Sequence, residues 1–440
     1  MAVEPTTIQS GVVPTKSKLS LLHGSNDPPL VDLTLGELLE LQTYQYGTKE
    51  CLVIPWTGAR WTYNDLNQQS SSLAEALLDM GIGVGDRVGI MAGNCEQYAA
   101  VFFAVAKIGA ILVILNNTYT PTEAMYGLTF SDCKVFFTTK KIGDRVDNSR
   151  LLSAVANEEG ISRKVVILRG DSEGYTSYQD LINSRQRKGH EALYRAMSKV
   201  LPHQVVNLQF TSGTTGLPKA AMLTHHNLVN NSRFIGDRMR LTSADILCCP
   251  PPLFHCFGLV LGLLAIVTHG GKIVYPAEVF DIPSTLQAIS DENCTAAKLP
   301  EGFQCDNLRT GIIAGAPVPR YLMELLVNRF GMTEFTSSYG LTEASPTCFN
   351  AFTDDAMHRR LTTVGTLMPH AQAKIPTDAE LRDWVRNQLG KHKAPAHVFW
   401  LGQGGVPSTV PLTGSGKVRK FEMAKLGDEL LRKQTTTSKL

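Results

Sequence analysis

The run Leu208-Gln209-Phe210-Thr211-Ser212-Gly213-Thr214-Thr215-Gly216-Leu217-Pro218-Lys219 constrains this chain more than any other segment. Val205 to Phe210 is a short, mostly apolar stretch that reads as a buried strand. The hydroxyl- and glycine-rich residues after it, closed by a proline, take the chain out of the sheet into a loop. Gly213 and Gly216 let backbone N–H groups approach oxygen atoms closely. Thr211, Ser212, Thr214 and Thr215 supply hydroxyl donors, and Lys219 supplies a positive charge. A strand that delivers such a loop is suited to holding phosphate. The spacing excludes a Walker A loop, which sets four residues between its glycines and follows the second directly with Lys-Ser/Thr.

From residue 32 onward, helix and strand patterns alternate. Thr62 to Met80 carries Leu66, Leu73, Leu77 and Leu78 at helical spacing and stops at Gly81; Arg87 to Met91 then reads as a strand. Tyr98 to Ile108 reads as a helix and Ala110 to Leu115 as a strand. Alternation of this kind predicts an α/β fold with parallel sheets flanked by helices. A chain of 440 residues has room for two or three domains, and no internal repeat or low-complexity block is visible. With 42 basic and 40 acidic residues and a net charge of +2, no polyanion-binding face is expected, so nucleic acid is excluded as a partner. The nine cysteines include adjacent Cys248-Cys249 but no CxxC pair, which reads as reduced thiols without a zinc or disulfide framework. The first twenty residues are polar, without the apolar core of a secretion signal. Phe257 to Thr268 and Val101 to Leu115, the latter interrupted by Lys107, are too short to span a bilayer, so no transmembrane segment is expected.

Four further segments follow the loop in order: Pro250-Pro-Pro-Leu-Phe-His-Cys-Phe-Gly258, Gly311-Ile-Ile-Ala-Gly-Ala-Pro317, Ser337-Ser-Tyr-Gly-Leu-Thr-Glu343 and Pro411-Leu-Thr-Gly-Ser-Gly-Lys-Val-Arg-Lys420. Each alone has an ordinary reading: a core histidine, a strand and turn, a turn before a helix start, a basic solvated loop. Together with TSGTTGLPKAAMLTHHN they resemble the adenylate-forming superfamily, which contains acyl-CoA synthetases, aryl-CoA ligases, luciferases and peptide-synthetase adenylation domains. The resemblance implies that Thr211 to Lys219 binds ATP. It further implies that Gly315, Ala316 and Pro317 lie along the adenine with Tyr339 and Gly340, that Thr342 touches the phosphate region and that Glu343 holds magnesium. His255 and Phe254 match the element beside the acyl pocket, with His255 a binding residue rather than a base. Lys417 matches the lysine that closes over the substrate carboxylate and α-phosphate, and so stabilises charge as the carboxylate attacks phosphorus.

The domain organisation that follows is a polar extension over 1–30, an internally shortened AMP-binding domain over 31–375, a shortened α+β C-terminal remnant over 376–430 and a tail over 431–440. Thr377-Asp-Ala-Glu380 is a capping box, with Leu381, Trp384, Val385 and Leu389 on one helical face, and Val398 to Leu401 reads as a strand. The family's Thr-Gly-Asp motif, whose aspartate binds the ribose, occurs nowhere in the sequence, and neither does its hinge segment or its Gly-Gly-Glu element. A second, shorter gap falls between Cys294-Thr-Ala-Ala297 and Asn307-Leu-Arg-Thr310. Two functions are consistent with this. One is an acid:CoA ligase that takes a carboxylic acid, ATP and CoA, with magnesium; the other is a non-catalytic descendant that binds a nucleotide or a partner. Ser438-Lys439-Leu440 is the tripeptide read by the peroxisomal import receptor when it ends an exposed tail, the alternative being cytoplasmic residence. That ending, with the absence of a carrier-domain motif, favours CoA chemistry, and the overall likeness is to peroxisomal acyl-CoA ligases of fungal secondary metabolism.

Overall fold

The computed structural model describes residues 20–158, 163–184, 190–211, 219–295, 308–315, 320–330, 332–375, 377–389 and 420–437. These fall into two units, one of residues 25–370 and one made of the described residues on either side of it.

In the larger unit the principal sheet has seven strands. Their order across the sheet is Thr176–Ser177, Lys164–Ile167, Cys133–Thr138, Arg87–Met91, Ile111–Ile114, Val205–Thr211 and Lys219–Thr224. All neighbours are parallel except the last pair, which is antiparallel. The helices that cross between strands start where the sequence supplies caps. Thr62 and Asp65 form a capping box on the helix Tyr63–Asp79, and the chain leaves it at Gly81 with φ of +77°. Thr34 with Glu37 and Thr120 with Glu123 begin the helices Leu35–Tyr46 and Pro121–Phe130 in the same way. Helix Glu96–Lys107 is buried along almost its whole length, as its apolar composition predicts. Even Lys107 is enclosed; its ammonium donates to Ser71 Oγ at 2.7 Å and Glu40 Oε1 at 3.1 Å while burial pulls its pKa down.

Two four-stranded sheets complete this unit. One orders Ile246–Cys248, Lys272–Val274, Glu50–Ile54 and Ala59–Thr62, the last pair antiparallel. The other orders Thr310–Ile313, Glu334–Gly340, Thr347–Asn350 and Thr366–Leu367, and here only the first pair is parallel. The expected parallel, helix-flanked sheets are therefore present, with the correction that the sheet carrying Tyr339 is mainly antiparallel. Glu334–Gly340 turns back into Thr347–Asn350 through the short segment 341–346, which needs no crossover helix, and a longer connection carrying the helix Met357–Thr362 leads on to Thr366–Leu367. Cys248, Val274, Leu308, Leu326 and Phe335 share one core that joins both small sheets.

In the second unit Ser20–His23 pairs antiparallel with Gln372–Ile375. The Thr377/Glu380 capping box forms, with hydrogen bonds of 2.9 and 3.2 Å, and starts the helix Asp378–Leu389. On the predicted apolar face of that helix Leu381 and Val385 are partly buried, whereas Trp384 is 59 % exposed. A last helix spans Lys420–Thr437. The strand expected over Val398 to Leu401 lies outside the described residues, as does the tripeptide Ser438-Lys439-Leu440. Eight of the cysteines are described, all as free thiols and seven of them buried. Among the described residues no helix is long and apolar enough to cross a membrane.

Candidate active site

Thr211 stands opposite Lys219 across the antiparallel pair that closes the edge of the large sheet. The glycine-rich loop thus spans the tip of a hairpin whose two ends are held by backbone hydrogen bonds. Ser212, Gly213, Thr214, Thr215, Gly216, Leu217 and Pro218 lie outside the described residues, as do Ala316, Pro317 and Lys417.

The hairpin meets the Tyr339-to-Glu343 motif directly. Thr211 Oγ1 donates to Glu343 Oε1 at 3.2 Å, joining residues 132 positions apart. Behind this contact the buried Cys256 thiol donates to Gln209 Oε1 at 2.6 Å and shares a hydrogen bond with the Thr342 side chain. Burial pushes the Cys256 pKa up to about 12, so it is a neutral donor and not a nucleophile. One strand therefore contributes Gln209 and Thr211, two residues apart on the same face, Thr211 to Glu343 directly and Gln209 to Thr342 through Cys256.

That turn is fixed by close backbone packing. Strand Glu334–Gly340 ends where Gly340 lies against Pro346 and Thr347, too close for any side chain. Leu341 N–H donates to Pro346 O at 2.9 Å, and Ala344 N–H to Leu341 O at 2.9 Å, within a short 3₁₀ turn over Thr342–Ala344. The side chain of Asn231, on the helix His225–Met239, donates to Thr347 O at 2.9 Å and accepts from Thr347 N–H at 3.1 Å. Thus the helix that follows the hairpin also clamps the turn.

Three adjoining clefts surround these residues. The first, about 140 Å³, is lined by His255, Cys256, Gly315, Ser338, Gly340 and Thr342 among others. The second, about 660 Å³, shares Gly315, Ser338 and Gly340 with it and adds Tyr339, Arg360 and Thr363. The third, about 250 Å³, is almost wholly apolar, with Leu247, Pro250, Phe280, Ile312 and Phe335 in its wall. Phe257 and Leu261 belong to both the first and the third. Both lie on Phe257–Leu264, a segment wound as a π-helix, a conformation rare in general and concentrated at functional sites.

The sequence-predicted residues are accordingly brought together in part. Gly315, Tyr339, Gly340, Thr342 and His255 line the adjoining clefts; Thr211, Lys219 and Glu343 are joined to one another by the Thr211–Glu343 hydrogen bond and the strand pair but, like Phe254, line none of the three. Tyr339 is 52 % exposed, leaving a ring face open to the large cleft. His255 Nδ1 accepts from Phe257 N–H at 3.1 Å, which leaves the proton of the neutral ring on Nε2. Although the ring keeps an exposed edge, desolvation of the rest holds its pKa below the ordinary value, favouring a neutral donor. Gln209, Asn231, Cys256 and Arg360 were not predicted. A polar Gln209 inside an apolar strand is a signal for the first. Arg360 spends its donors on the carbonyls of Thr333, Phe335 and Asp355 and braces the cleft wall.

The arrangement fits a hard divalent cation beside phosphate. Glu343 is exposed, and with one oxygen engaged by a hydroxyl it retains carboxylate lone pairs of the kind magnesium takes.

Comparison with known proteins agrees with this geometry. A family model described as AMP-binding enzyme matches residues 39–391. The chain is 61% identical to acyl-CoA ligase sidI of Beauveria bassiana, with all of both chains covered, and 44% identical to acyl-CoA ligase sidI of Aspergillus fumigatus, covering 94% of this chain and 95% of that one. The first alignment extends over 575 positions, against the 440 residues of this chain, so the relative contains stretches that have no counterpart here. Among solved structures, the anthranilate CoA ligase AuaEII in complex with anthranoyl-AMP superposes with a TM-score of 0.68 at 21% identity, over 78% of this chain and 66% of that one. The N-terminal domain of FACL13 from Mycobacterium tuberculosis gives 0.64 at 19% identity, over 76% and 83%. Hydroxyl-rich hairpin, carboxylate turn and clefts thus sit on a shared scaffold, and the chain belongs to the AMP-binding enzyme family, among its acyl-CoA ligases.

Proposed function

We propose that this chain activates a carboxylic acid with MgATP and passes the acyl group to CoA. A carboxylate is a poor electrophile with no good leaving group. In the first half-reaction its oxygen attacks the α-phosphorus, the α–β bridging P–O bond breaks, and pyrophosphate leaves. In the second the CoA sulfur attacks the acyl carbon, AMP departs, and the thiol proton is lost to solvent or a base. The observation that carries this reading is the Thr211–Glu343 hydrogen bond, which unites the two motifs best suited to a triphosphate. Lys219 and the loop before it would hold the phosphates, and Tyr339 with Gly315 the adenine end. Magnesium, held by Glu343, would neutralise charge on the phosphate oxygens. The acyl group belongs in the apolar cleft, in whose wall Gly262 packs so closely on Cys249 that an added Cβ would approach its Sγ to 2.6 Å. His255, as a neutral donor at the junction of clefts, suits the substrate carboxylate. Lys417 would supply the cation for the developing charge.

Pyrophosphate exchange with a panel of acids, followed by thioester assay with CoA, tests the proposal. Exchange that depends on an acid supports it; nucleotide binding without exchange for any acid supports the non-catalytic alternative, for which the missing Thr-Gly-Asp motif speaks. For placement in the cell, we read Ser438-Lys439-Leu440 as a peroxisomal import signal, in keeping with fungal secondary metabolism. A fluorescent fusion at the N-terminus should give puncta that vanish when the tripeptide is removed, whereas diffuse signal with the tripeptide intact would return the protein to the cytoplasm.

A further inference from the structure

Away from the clefts, Asp32, His203 and His226 bring a carboxylate and two imidazoles together, with ligand atoms all within 4.8 Å of one another. Asp32 Oδ1 lies 3.4 Å from His226 Nε2 and 3.7 Å from His203 Nε2. These separations are too long for good hydrogen bonds. They are close to the roughly 3.3 Å expected between two ligand atoms each about 2.0 Å from one tetrahedral metal ion. The two imidazoles lie with centroids 4.5 Å apart at an interplanar angle of 37°, an arrangement that repels when both are protonated and that leaves lone pairs available when both are neutral. We propose that Asp32, His203 and His226 form a binding site for a first-row divalent transition metal of the zinc type, joining the segment before helix Leu35–Tyr46 to the start of helix His225–Met239.

The backbone around each ligand is held without any ion. Asn230 holds the residue before Asp32 by accepting from Val31 N–H at 2.9 Å and donating to Val31 O at 2.8 Å. Leu35 N–H donates to His225 Nδ1 at 3.1 Å, tying the same segment to the residue next to His226. His226 N–H donates to Pro202 O at 2.8 Å, which seats it beside the turn Leu201–Gln204; that turn is closed by Gln204 N–H on Leu201 O at 3.0 Å. Three chain segments therefore converge with little backbone freedom left to lose, the condition under which a metal site is preorganised. Asp32 and His203 are exposed and His226 largely covered, so an ion can enter from solvent and keep a water in the open position. Two imidazoles with one carboxylate favour zinc, nickel, cobalt or copper over magnesium or calcium, which require mainly oxygen ligands. The site is separate from the Glu343 carboxylate proposed for magnesium.

The test is calorimetric titration of the full chain with Zn²⁺, and with Mg²⁺ for comparison, together with thermal unfolding at each metal concentration. The expected result is saturable Zn²⁺ binding without a Mg²⁺ counterpart at this site, and a rise in unfolding midpoint with Zn²⁺. Asp32→Asn and His203→Asn should each weaken it by about tenfold or more, the lower end of what disturbing even an outer metal contact costs. His226→Asn should abolish it, and because Asp32 and His203 are exposed, their variants keep the test decisive if His226→Asn misfolds. Zn²⁺ binding unchanged in both exposed-residue variants would assign the ion to other groups, the thiols included, and overturn the proposal; so would the absence of Zn²⁺ binding to the unsubstituted chain.

Discussion

Replacing Gly340 by alanine tests whether the carboxylate turn is positioned by backbone packing. An added Cβ would fall on the Pro346 carbonyl, 2.8 Å from its carbon and 3.0 Å from Thr347 Cα. These are backbone atoms in a paired strand, so no side-chain rotation relieves the clash; the strands must separate. Separation forfeits the 2.9 Å hydrogen bond from Leu341 N–H to Pro346 O, worth about 0.5–1.5 kcal/mol. Overpacking adds about 1–3 kcal/mol, for a total of roughly 2–4 kcal/mol. Because Thr342 and Glu343 follow directly, the same displacement lengthens the 3.2 Å contact between Glu343 and Thr211. Urea unfolding should therefore show a lowered midpoint, and pyrophosphate exchange should fall by at least about tenfold, since 1.4 kcal/mol of lost positioning has that effect. Gly83→Ala is the control, because its added Cβ meets nothing within 4 Å. If Gly340→Ala matched Gly83→Ala in both stability and exchange, the turn would be shown to yield freely and the positioning argument would fail.

Lys219→Ala should weaken ATP binding in a calorimetric titration, and unchanged affinity would remove the hairpin from the nucleotide site. Lys417→Ala should depress adenylate formation far more than ATP affinity, while pre-made acyl-adenylate is still converted to thioester; equal loss in both half-reactions would make the residue structural. Burial pushes His225 down from 6.5 to about 4, so between those values the unfolded chain takes up a proton that the folded chain refuses. Its contribution is complete above about pH 6.5 and is lost as the pH falls toward 4, by up to roughly 3 kcal/mol at 1.36 kcal/mol per unit. The difference in urea-unfolding free energy between pH 7 and pH 4.5 should accordingly shrink in His225→Gln, and an undiminished difference would refute the assignment.

What the sequence made legible was whatever depends on local pattern. The helix at Tyr63–Asp79 announced itself by leucine spacing and a closing glycine, and the strand Arg87–Met91 by an apolar run between turns. Thr211, Gly340, Thr342 and Glu343 were found because their motifs are contiguous. Asn231 and Cys256 were not, since each acts through a partner far away in the chain: Thr347 for one, Gln209 and Thr342 for the other. No periodicity distinguishes an asparagine that clamps a turn from one that faces water. The antiparallel character of the sheet carrying Tyr339 was missed for a related reason, because strand direction depends on how the intervening turns close rather than on strand composition.

The motifs absent from the sequence bear on how activity would fail. Residues 25–370 contain Thr211, Lys219, Gly315, Tyr339 and Glu343, the residues proposed above for the nucleotide. The Thr-Gly-Asp motif is absent from the sequence, and the first alignment needs 575 positions for a chain of 440 residues. Loss of one charged hydrogen bond to the ribose removes about 1.5–3 kcal/mol, or about ten- to a hundredfold in affinity. Under the role proposed for Lys417, loss of hinge residues would act on the rate, because a cation displaced from the reacting oxygens stabilises nothing at the transition state. On the proposed roles, impairment in this chain should therefore appear first in the rate of adenylate formation and only secondarily in ATP affinity, because a misplaced Lys417 would cost transition-state stabilisation while Thr211, Lys219 and Glu343 would still meet the phosphates.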